Sequence, residues 1–350
     1  MGAASPNVDI LINGNEVSDA DFVSYHVERD MFQPDMAAVV LSNQNDIYAG
    51  KFEIGQKLEI KVGEDQKSIY VGEIVGFEAT YKGGDTTKLT IRALNKMHRL
   101  LRKRKSVTYT EKTDEAILKD VVKDGGLTLE WKHKTAITYK HVYQHNQTDL
   151  EFLRTRAARL GCHVWCVDTK IHVKEPDFGN SSKVELSVDE GGTLRTFSPR
   201  LNSSAVVKKV TVRGWNPETK ELITGDASVE KSALGKEDAA AASKDLGKEE
   251  TFTVDHPIWS AEEAKAIAKA RLRDLNLTFI TGEAECAGNT EVELGQTIKI
   301  TANAKNEPDK DPFNGNYYVM GITHRMSTSK TGKDAGFITV FKVARDGQKI

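Results

Sequence analysis

The sequence predicts a mainly β protein of the α+β class, with two related β-barrel domains per chain, an inserted α/β domain and a helical excursion. The main observation is a stretch that occurs twice in the 350 residues: residues 53–60 read EIGQKLEI and residues 293–300 read ELGQTIKI. Both copies lead into runs of alternating apolar and polar residues between glycine-bearing turns, a pattern typical of antiparallel strands with one buried face. Such a distant repeat indicates two related domains.

The similarity continues in the same order after each copy. In the first copy, residues 68–72 precede Val75-Gly76-Phe77 and then residues 88–93. In the second copy, residues 315–319 precede Gly321-Ile322-Thr323 and then residues 337–343. Three matching segments in the same order indicate two barrels with the same arrangement of strands.

The bulk composition excludes several classes of protein. The length suggests two or three domains, and the net charge of -2 argues against a protein governed by nucleic-acid or membrane electrostatics. No apolar run approaches the roughly 18 residues of a membrane helix. The first seven residues lack a leader pattern, and three cysteines make no disulfide framework. We therefore expect folding in a reducing cytoplasm without a signal peptide.

The first barrel is predicted at residues 1–107. It begins with a hairpin over 8–17, whose turn is Asn13-Gly14, and continues with strands at 22–28 and 37–41. A basic cluster lies near its end: His98, Arg99, Arg102, Lys103, Arg104 and Lys105. Nucleic-acid contact is one interpretation, but no aromatic residues are interleaved, so a solvated edge or a surface for an acidic neighbour is favoured.

The middle α/β domain is predicted at residues 108–180. Thr113 caps a helix that ends before Gly125-Gly126, and a strand follows at 127–131. Thr148 and Glu151 form a capping box for a second helix that ends at Gly161. Its apolar stripe is Leu150, Leu153, Ala157 and Leu160, with Arg154, Arg156 and Arg159 mostly off that face. A hairpin is expected over 162–167 and 171–173.

The second barrel is predicted to be split, with residues 181–225 and 277–350 on either side of an excursion. Its first strand is expected at 206–215. The excursion, residues 226–276, combines a low-complexity linker with a helix. Ser260 and Glu263 make the capping box of this helix, and its buried stripe includes Ile267 and Leu272.

No catalytic motif is found: the sequence lacks a nucleophile elbow, a zinc-binding helix and a phosphate loop. Cys162, His163 and Cys166 lie near His172, but alternation on a strand points His163 away from both cysteines, which favours plain burial. His141 and His145 precede the helix, so helical spacing does not apply to them. We expect no catalytic residue.

A calcium loop is a further possibility, at Asp309, Asp311 and Asn314. Pro312 and the missing glutamate at the twelfth loop position favour a polar hairpin loop instead. We therefore expect neither a metal nor a cofactor.

Three stretches carry a resemblance to a known family. Residues 143–153 (YQxNQTDLEFL), followed by Arg159-Leu160-Gly161, resemble VgrG-type spike proteins and phage late-control-D proteins. Residues 212–220 (VRGWNPxTK) and the closing region from GxYYV at 315–319 to residue 345 are similar to further stretches of the same family. The motif residues are Thr148, Asp149, Glu151, Phe152, Leu153, Gly161 and Trp215.

The resemblance implies the baseplate hub of a contractile injection machine: a phage tail, an R-type bacteriocin, a type VI secretion system or an extracellular injection system. In that family the hub is a homotrimer, so two barrels per chain give a ring of six. Its implied partners are the inner tube protein, the spike or needle protein and baseplate wedge proteins, with effector cargo as a further candidate. The needle is either a separate chain or a continuation beyond Ile350.

The hub interpretation leads to candidate interface residues in both copies of the repeat. They are Gln56, Ile69, Tyr70 and Val71 in the first copy, and Gln296, Tyr317, Tyr318 and Val319 in the second. Two other functions remain open. One is a hub with peptidoglycan hydrolase activity. The other is a carbohydrate-binding β protein, although Trp131, Trp165, Trp215 and Trp259 are scattered along the chain.

Overall fold

The computed structural model describes residues 7–83, 87–133, 137–179, 181–189, 191–229, 231–244, 248–254, 257–305, 308–328 and 336–349. Ile350 and residues 1–6, which make up most of the segment expected to lack a signal peptide, lie outside these ranges. Within them the chain is mainly β, as predicted. No described helix is both long enough and apolar enough to cross a membrane.

The first part of the chain forms an antiparallel sheet and two short 3-10 helices, at Gln44–Asp46 and Lys96–Leu101. Its strands are β1 (Val8–Ile12), β2 (Asn15–Glu16), β3 (Phe22–Asp30), β4 (Met36–Ser42), β5 (Lys57–Val62), β6 (Lys67–Thr80) and β7 (Lys88–Leu94). The β1–β2 turn has positive φ at Asn13 (50°) and Gly14 (83°), the conformation that an Asn-Gly hairpin turn favours. The predicted hairpin is therefore confirmed.

The middle part combines helices with two small sheets. Its elements are β8 (Arg104–Thr113), α1 (Asp114–Lys123), β9 (Thr128–Lys132), β10 (Thr138–Thr148), α2 (Asp149–Arg159), β11 (His163–Val167) and β12 (Lys170–Lys174). β8 pairs with β10, while β12 lies between β11 and a parallel β9. Leu118 of α1 and Leu153 of α2 meet Val164 and Ile171 in one core. Both predicted helices are confirmed.

The remaining chain carries the other strands of one large sheet and a separate small unit. Its elements are β13 (Ser181–Ser187), β14 (Leu194–Leu201), β15 (Val207–Asn216), β16 (Glu221–Ser228), β17 (Glu237–Asp238), α3 (Ala239–Ala242), β18 (Lys248–Thr253), α4 (Ala261–Leu277), β19 (Ile280–Ala287), β20 (Thr297–Thr301), β21 (Gly315–Ser327), β22 (Gly336–Arg345) and β23 (Gly347–Gln348). β17 pairs with β23, which ties the low-complexity stretch to the end of the described chain.

One prediction about the second half is wrong. Residues 206–215 were expected to start the second barrel, but β15 lies in a separate sheet of order β16-β15-β18. The apolar face of that sheet packs on α4, where Val210 and Val212 meet Ile267 and Ala268. Alternation specifies a strand with one buried face but not which sheet it joins. The domain boundaries given above stay predictions.

The two Gly-Gln turns have the same backbone geometry. We call residues 53–56 the first turn and residues 293–296 the second turn. Gly55 has φ 92° and Gly295 has φ 76°, a left-handed conformation that glycine adopts without strain. The amide of Gly55 donates to the carbonyl of Ile74 (2.8 Å), and that of Gly295 donates to the carbonyl of Val319 (3.0 Å). The sequence repeat therefore corresponds to a repeated backbone structure.

A β-bulge follows each turn at an equivalent place. The register of β6 on β7 shifts between Ile74 and Gly76, and that of β21 on β22 shifts between Val319 and Gly321. These bulges make Ile74 equivalent to Val319. The sequence alignment of residues 68–72 with 315–319 is therefore displaced by two positions, because an alternating pattern matches itself at every second residue.

The large sheet joins two halves, with β1–β7 in the first half and β13, β14 and β19–β22 in the second. Its main path runs β14-β19-β22-β21-β3-β4-β7-β6-β5-β1-β2, with β20 also pairing β21 and β13 pairing β20. β3 bonds to β21 from Gly321↔Asp30 to Ser327↔Ser24, and Lys342 Nζ lies 2.9 Å from Asp30 Oδ2 at this junction. Among the described pairings, neither half closes into a barrel, because the edge of β3 is occupied by the other half instead.

Candidate assembly interface

The second turn is covered by its own chain. Leu294 is only 5% exposed. A Cβ added to Gly295 would lie 3.3 Å from the ring of Trp165 and 3.6 Å from the methyl group of Met31. Trp165 belongs to β11 and stacks on His172 with ring centroids 5.1 Å apart. The middle part of the chain therefore packs against this turn.

The first turn has no such cover. Ile54, which is equivalent to Leu294, is 69% exposed, and a Cβ added to Gly55 would have nothing within 4 Å. Beside it lies a cleft of about 420 Å³, whose lining includes Ile47, Phe52 and Gln56. The two turns therefore share a backbone conformation but differ in the exposure of their apolar residue, which is Ile54 in the first turn and Leu294 in the second.

Most of the predicted interface side chains are buried inside the chain. Ile69 and Tyr70 lie in the first core, and Tyr317, Tyr318 and Val319 lie in the second. A side chain already buried in its own chain adds no contact area to a partner. Sequence alternation cannot separate these two kinds of burial, since core and interface strands carry the same apolar pattern.

The other three predicted interface residues are partly exposed. These are Val71, Gln56 and Gln296. The Oε1 atoms of both glutamines are enclosed and have no hydrogen-bond partner among the described residues. An interface role for these three residues stays a prediction.

A buried histidine fixes the middle part onto the second half. His163 Nδ1 lies 3.1 Å from the hydroxyl of Tyr318, and the His163 ring meets Phe32 edge-on at 5.2 Å. Burial, with a smaller effect from the charge of Arg273, lowers the pKa of His163 to about 3. The imidazole is therefore neutral at physiological pH and serves as a packing group.

The family stretch around α2 is a structural element. Thr148 Oγ1 accepts from the amide of Glu151 (3.2 Å), and the Glu151 carboxylate accepts from the amide of Thr148 (2.8 Å). Asp149 pairs with Lys105 at 2.7 Å, while Phe152 stacks on Tyr109. The predicted capping box is confirmed.

The ends of the family stretches meet other parts of the fold. Gly161 has φ 65°, and a Cβ added there would lie 2.6 Å from Ala270 Cβ, so α2 and α4 approach closely because this residue is glycine. Trp215 is 52% exposed and pairs across strands with Leu222, which is 61% exposed. The Trp215 side chain therefore lies on the surface.

The helix-capping and burial predictions need two corrections. Ser260 caps α4, but the Glu263 carboxylate accepts from the amide of Trp259 (2.9 Å), one residue before the cap. Arg156 is only 2% exposed, although it was expected off the buried face of α2. Its Nε donates to the carboxylate of Asp114 on α1. No local signal marks this ion pair, because its partners are 42 residues apart.

The basic cluster is largely compensated inside the chain. Arg99 pairs with Glu73, Arg104 with Glu151, and Lys105 with both Asp124 and Asp149. His98 is buried against Asn95. These ion pairs reduce the positive potential that a phosphate backbone would meet.

Three of the candidate metal ligands, Cys162, Cys166 and Asn314, have other roles in the fold. Cys162 and Cys166 lie in the middle core, and burial raises the pKa of the Cys162 thiol to about 12. The Asn314 side chain accepts from the amides of Ala302 and Asn303 and donates to two carbonyl groups. Across the part of the chain that the structure describes, no three His, Cys, Asp or Glu side chains are placed to hold a metal.

Comparison with families of known proteins identifies the chain. The family described as the Alg8 N-terminal domain matches residues 3–328. The chain belongs to this family. The match spans both turns, the middle part and the β15–α4 unit, so the Alg8 N-terminal domain comprises nearly all of the architecture described above. No curated protein matches the sequence.

Solved structures share the fold of this Alg8 N-terminal domain. A tail protein from Neisseria meningitidis MC58 matches with a TM-score of 0.72 and 14% identity, over 99% of this chain and 98% of that one. The Escherichia coli c3393 protein, a type VI secretion component with similarity to phage T4 tail proteins gp27 and gp5, matches with a TM-score of 0.59 and 13% identity, over 97% of this chain and 79% of that one.

A VgrG-containing structure also matches. The Francisella PdpA-VgrG complex gives a TM-score of 0.55 and 11% identity, over 97% of this chain and 58% of that one. At these identities the likeness establishes the fold. The resemblance to phage tail and VgrG-type proteins inferred from the sequence is confirmed at that level.

Proposed function

We propose that this chain is a structural baseplate hub, which trimerises and adapts the sixfold inner tube to the threefold central spike of a contractile injection machine. The observation that carries the proposal is the shared fold with a phage tail protein over 99% of this chain and 98% of that one. The machine is a phage tail, a bacteriocin, a type VI system or an extracellular injection system, assembled in the bacterial cytoplasm.

The internal repeat supports this geometry. Each chain presents two units with the same turn and the same bulge, so three chains present six similar units in a ring. Such a ring matches a sixfold tube on one side and a threefold spike on the other. The proposed partners are therefore the tube protein, the spike or needle protein, wedge proteins and effector cargo.

The uncovered first turn supports self-association. Leu294 of the second turn is buried by its own chain, while the equivalent Ile54 is left exposed beside an open cleft. We propose that a second copy of the chain covers Ile54, in the way that Trp165 covers the second turn. The role is mechanical, and we propose no enzymatic activity for the chain.

The native mass tests the proposal. Light scattering on size-exclusion fractions is expected to give about 116 kDa, three times the 38.7 kDa of one chain. A monomer would direct the next measurement to a mixture with the spike protein, whose absence would leave the ring incomplete. A stable dimer would contradict the proposal, because two chains cannot build a threefold ring.

The substitution Ile54→Asp tests the first turn. It places a charge on the surface that a second copy would bury, so the dissociation constant of the assembly should rise by at least about tenfold. Sedimentation equilibrium measures this change. Tyr81→Asp is the matched control, since Tyr81 is 67% exposed and lies outside the turn. Equal dissociation constants for wild type and Ile54→Asp would reject the assignment.

A further inference from the structure

A second cleft lies away from both turns, between β10, α2 and residues 257–259. Its volume is about 290 Å³. Two arginines and four aromatic residues form most of its wall: Arg156, Arg159, Tyr139, Tyr143, Phe152 and Trp259. The family stretch at 143–153 contributes Tyr143 and Phe152 to this wall. Phe152 and Tyr139 are also part of a small core cluster, while the two arginines are not explained by apolar packing.

Arg156 has more donors than the protein satisfies. Its Nε donates to Asp114, and its guanidinium carbon lies 4.5 Å from the centroid of the Tyr139 ring. Its Nη2 is enclosed and has no hydrogen-bond acceptor among the described residues. A buried cationic donor without an acceptor costs free energy, which an oxygen ligand would recover.

Arg159 lies one turn further along α2 and lines the same cleft. Burial, with a smaller effect from the charge of Arg156, lowers the pKa of Arg159 to about 10. The charges of Asp114 and Glu263 act in the opposite direction, while Asp114 accepts from Arg156 and Glu263 accepts from the Trp259 amide. Within the described chain, Arg159 has no hydrogen-bond acceptor. The cleft therefore offers cationic donors, and none of its described lining residues is an aspartate or a glutamate.

We propose that this cleft binds an oxyanion, and that the ligand is the carboxylate of an acidic side chain on another protein. Two guanidinium groups supply the forked donors that match a carboxylate. The aromatic wall supplies apolar contact for the methylene stem beside that carboxylate. The volume suits one such side chain but is too small for a folded element. This site goes beyond the hub function, because it requires neither trimerisation nor the first turn.

Free phosphate shares this oxyanion chemistry, so the experiment has separate arms. Isothermal titration calorimetry on the full chain at low salt uses three probes: a blocked tetraglutamate peptide, inorganic phosphate and a blocked tetralysine peptide. The tetraglutamate peptide is expected to bind once per chain. Arg159→Gln should weaken that binding by at least about tenfold, because a charged hydrogen bond is lost.

The matched control is Arg154→Gln. Arg154 is exposed on α2, outside the cleft, and its replacement should leave the affinity unchanged. His141→Gln, a second change in the cleft wall, should weaken binding without touching the Asp114 ion pair. Circular dichroism checks that each variant is folded. Absence of peptide binding, equal affinity in Arg159→Gln, or phosphate binding without peptide binding would each overturn the assignment.

Discussion

Leu153→Asp is expected to lower the free energy of unfolding by at least about 4 kcal/mol. Leu153 has no exposed surface and lies on α2, in the core formed with α1 and the β9–β12–β11 sheet. The substitution removes an apolar side chain and leaves a carboxylate without a partner in an apolar site. Urea unfolding followed by circular dichroism measures the change.

The neighbouring position provides the control. Arg154 is exposed, so Arg154→Asp should change the free energy of unfolding by no more than about 0.5 kcal/mol. Leu153→Met, which nearly conserves volume, should cost less than about 1.5 kcal/mol. A soluble Leu153→Asp protein with wild-type stability would show that this face of α2 is not buried.

Asp114→Ala is the second change with a large expected effect, a loss of about 3–5 kcal/mol. Asp114 and Arg156 form an ion pair between α1 and α2, with side chains 5% and 2% exposed. Removing the carboxylate leaves the guanidinium buried without its counter-ion, and the cost of its desolvation is no longer offset. The midpoint of urea unfolding should fall with little change in slope.

Another aspartate of α1 is the matched control. Asp120 pairs with Lys112 at the surface, with side chains 54% and 41% exposed, so Asp120→Ala should cost at most about 1 kcal/mol. The double change Asp114→Leu with Arg156→Met should recover most of the loss, since both charges are then absent. Equal effects of Asp114→Ala and Asp120→Ala would mean that the ion pair is not buried.

Short-range signals in the sequence determined the local structure. The Asn13-Gly14 turn and the Thr148–Glu151 capping box are found as predicted, and Ser260 caps α4 although Glu263 does not complete its capping box. Each of these depends on residues within four positions of one another, so the backbone and side chains meet whatever the rest of the chain does. The Gly-Gln repeat also survives, because Gly55 and Gly295 both need a left-handed conformation at the same hydrogen bond.

The partners of these elements could not be predicted from their sequences. β15 shows a strand pattern, yet α4 rather than the large sheet covers its apolar face. The edge of β3 pairs with β21 almost 300 residues away, so no closed barrel is formed among the described strands.

The candidate sites divide in the same way. The sequence marked both Gly-Gln turns, but only packing against Trp165 makes one covered and leaves Ile54 exposed on the other. It also marked α2, but the burial of Arg156 depends on Asp114, which lies on a different helix. The sequence alone therefore determined turns, caps and the repeat. Tertiary structure decided which surfaces are covered and which charges are paired, because those properties depend on contacts between distant residues.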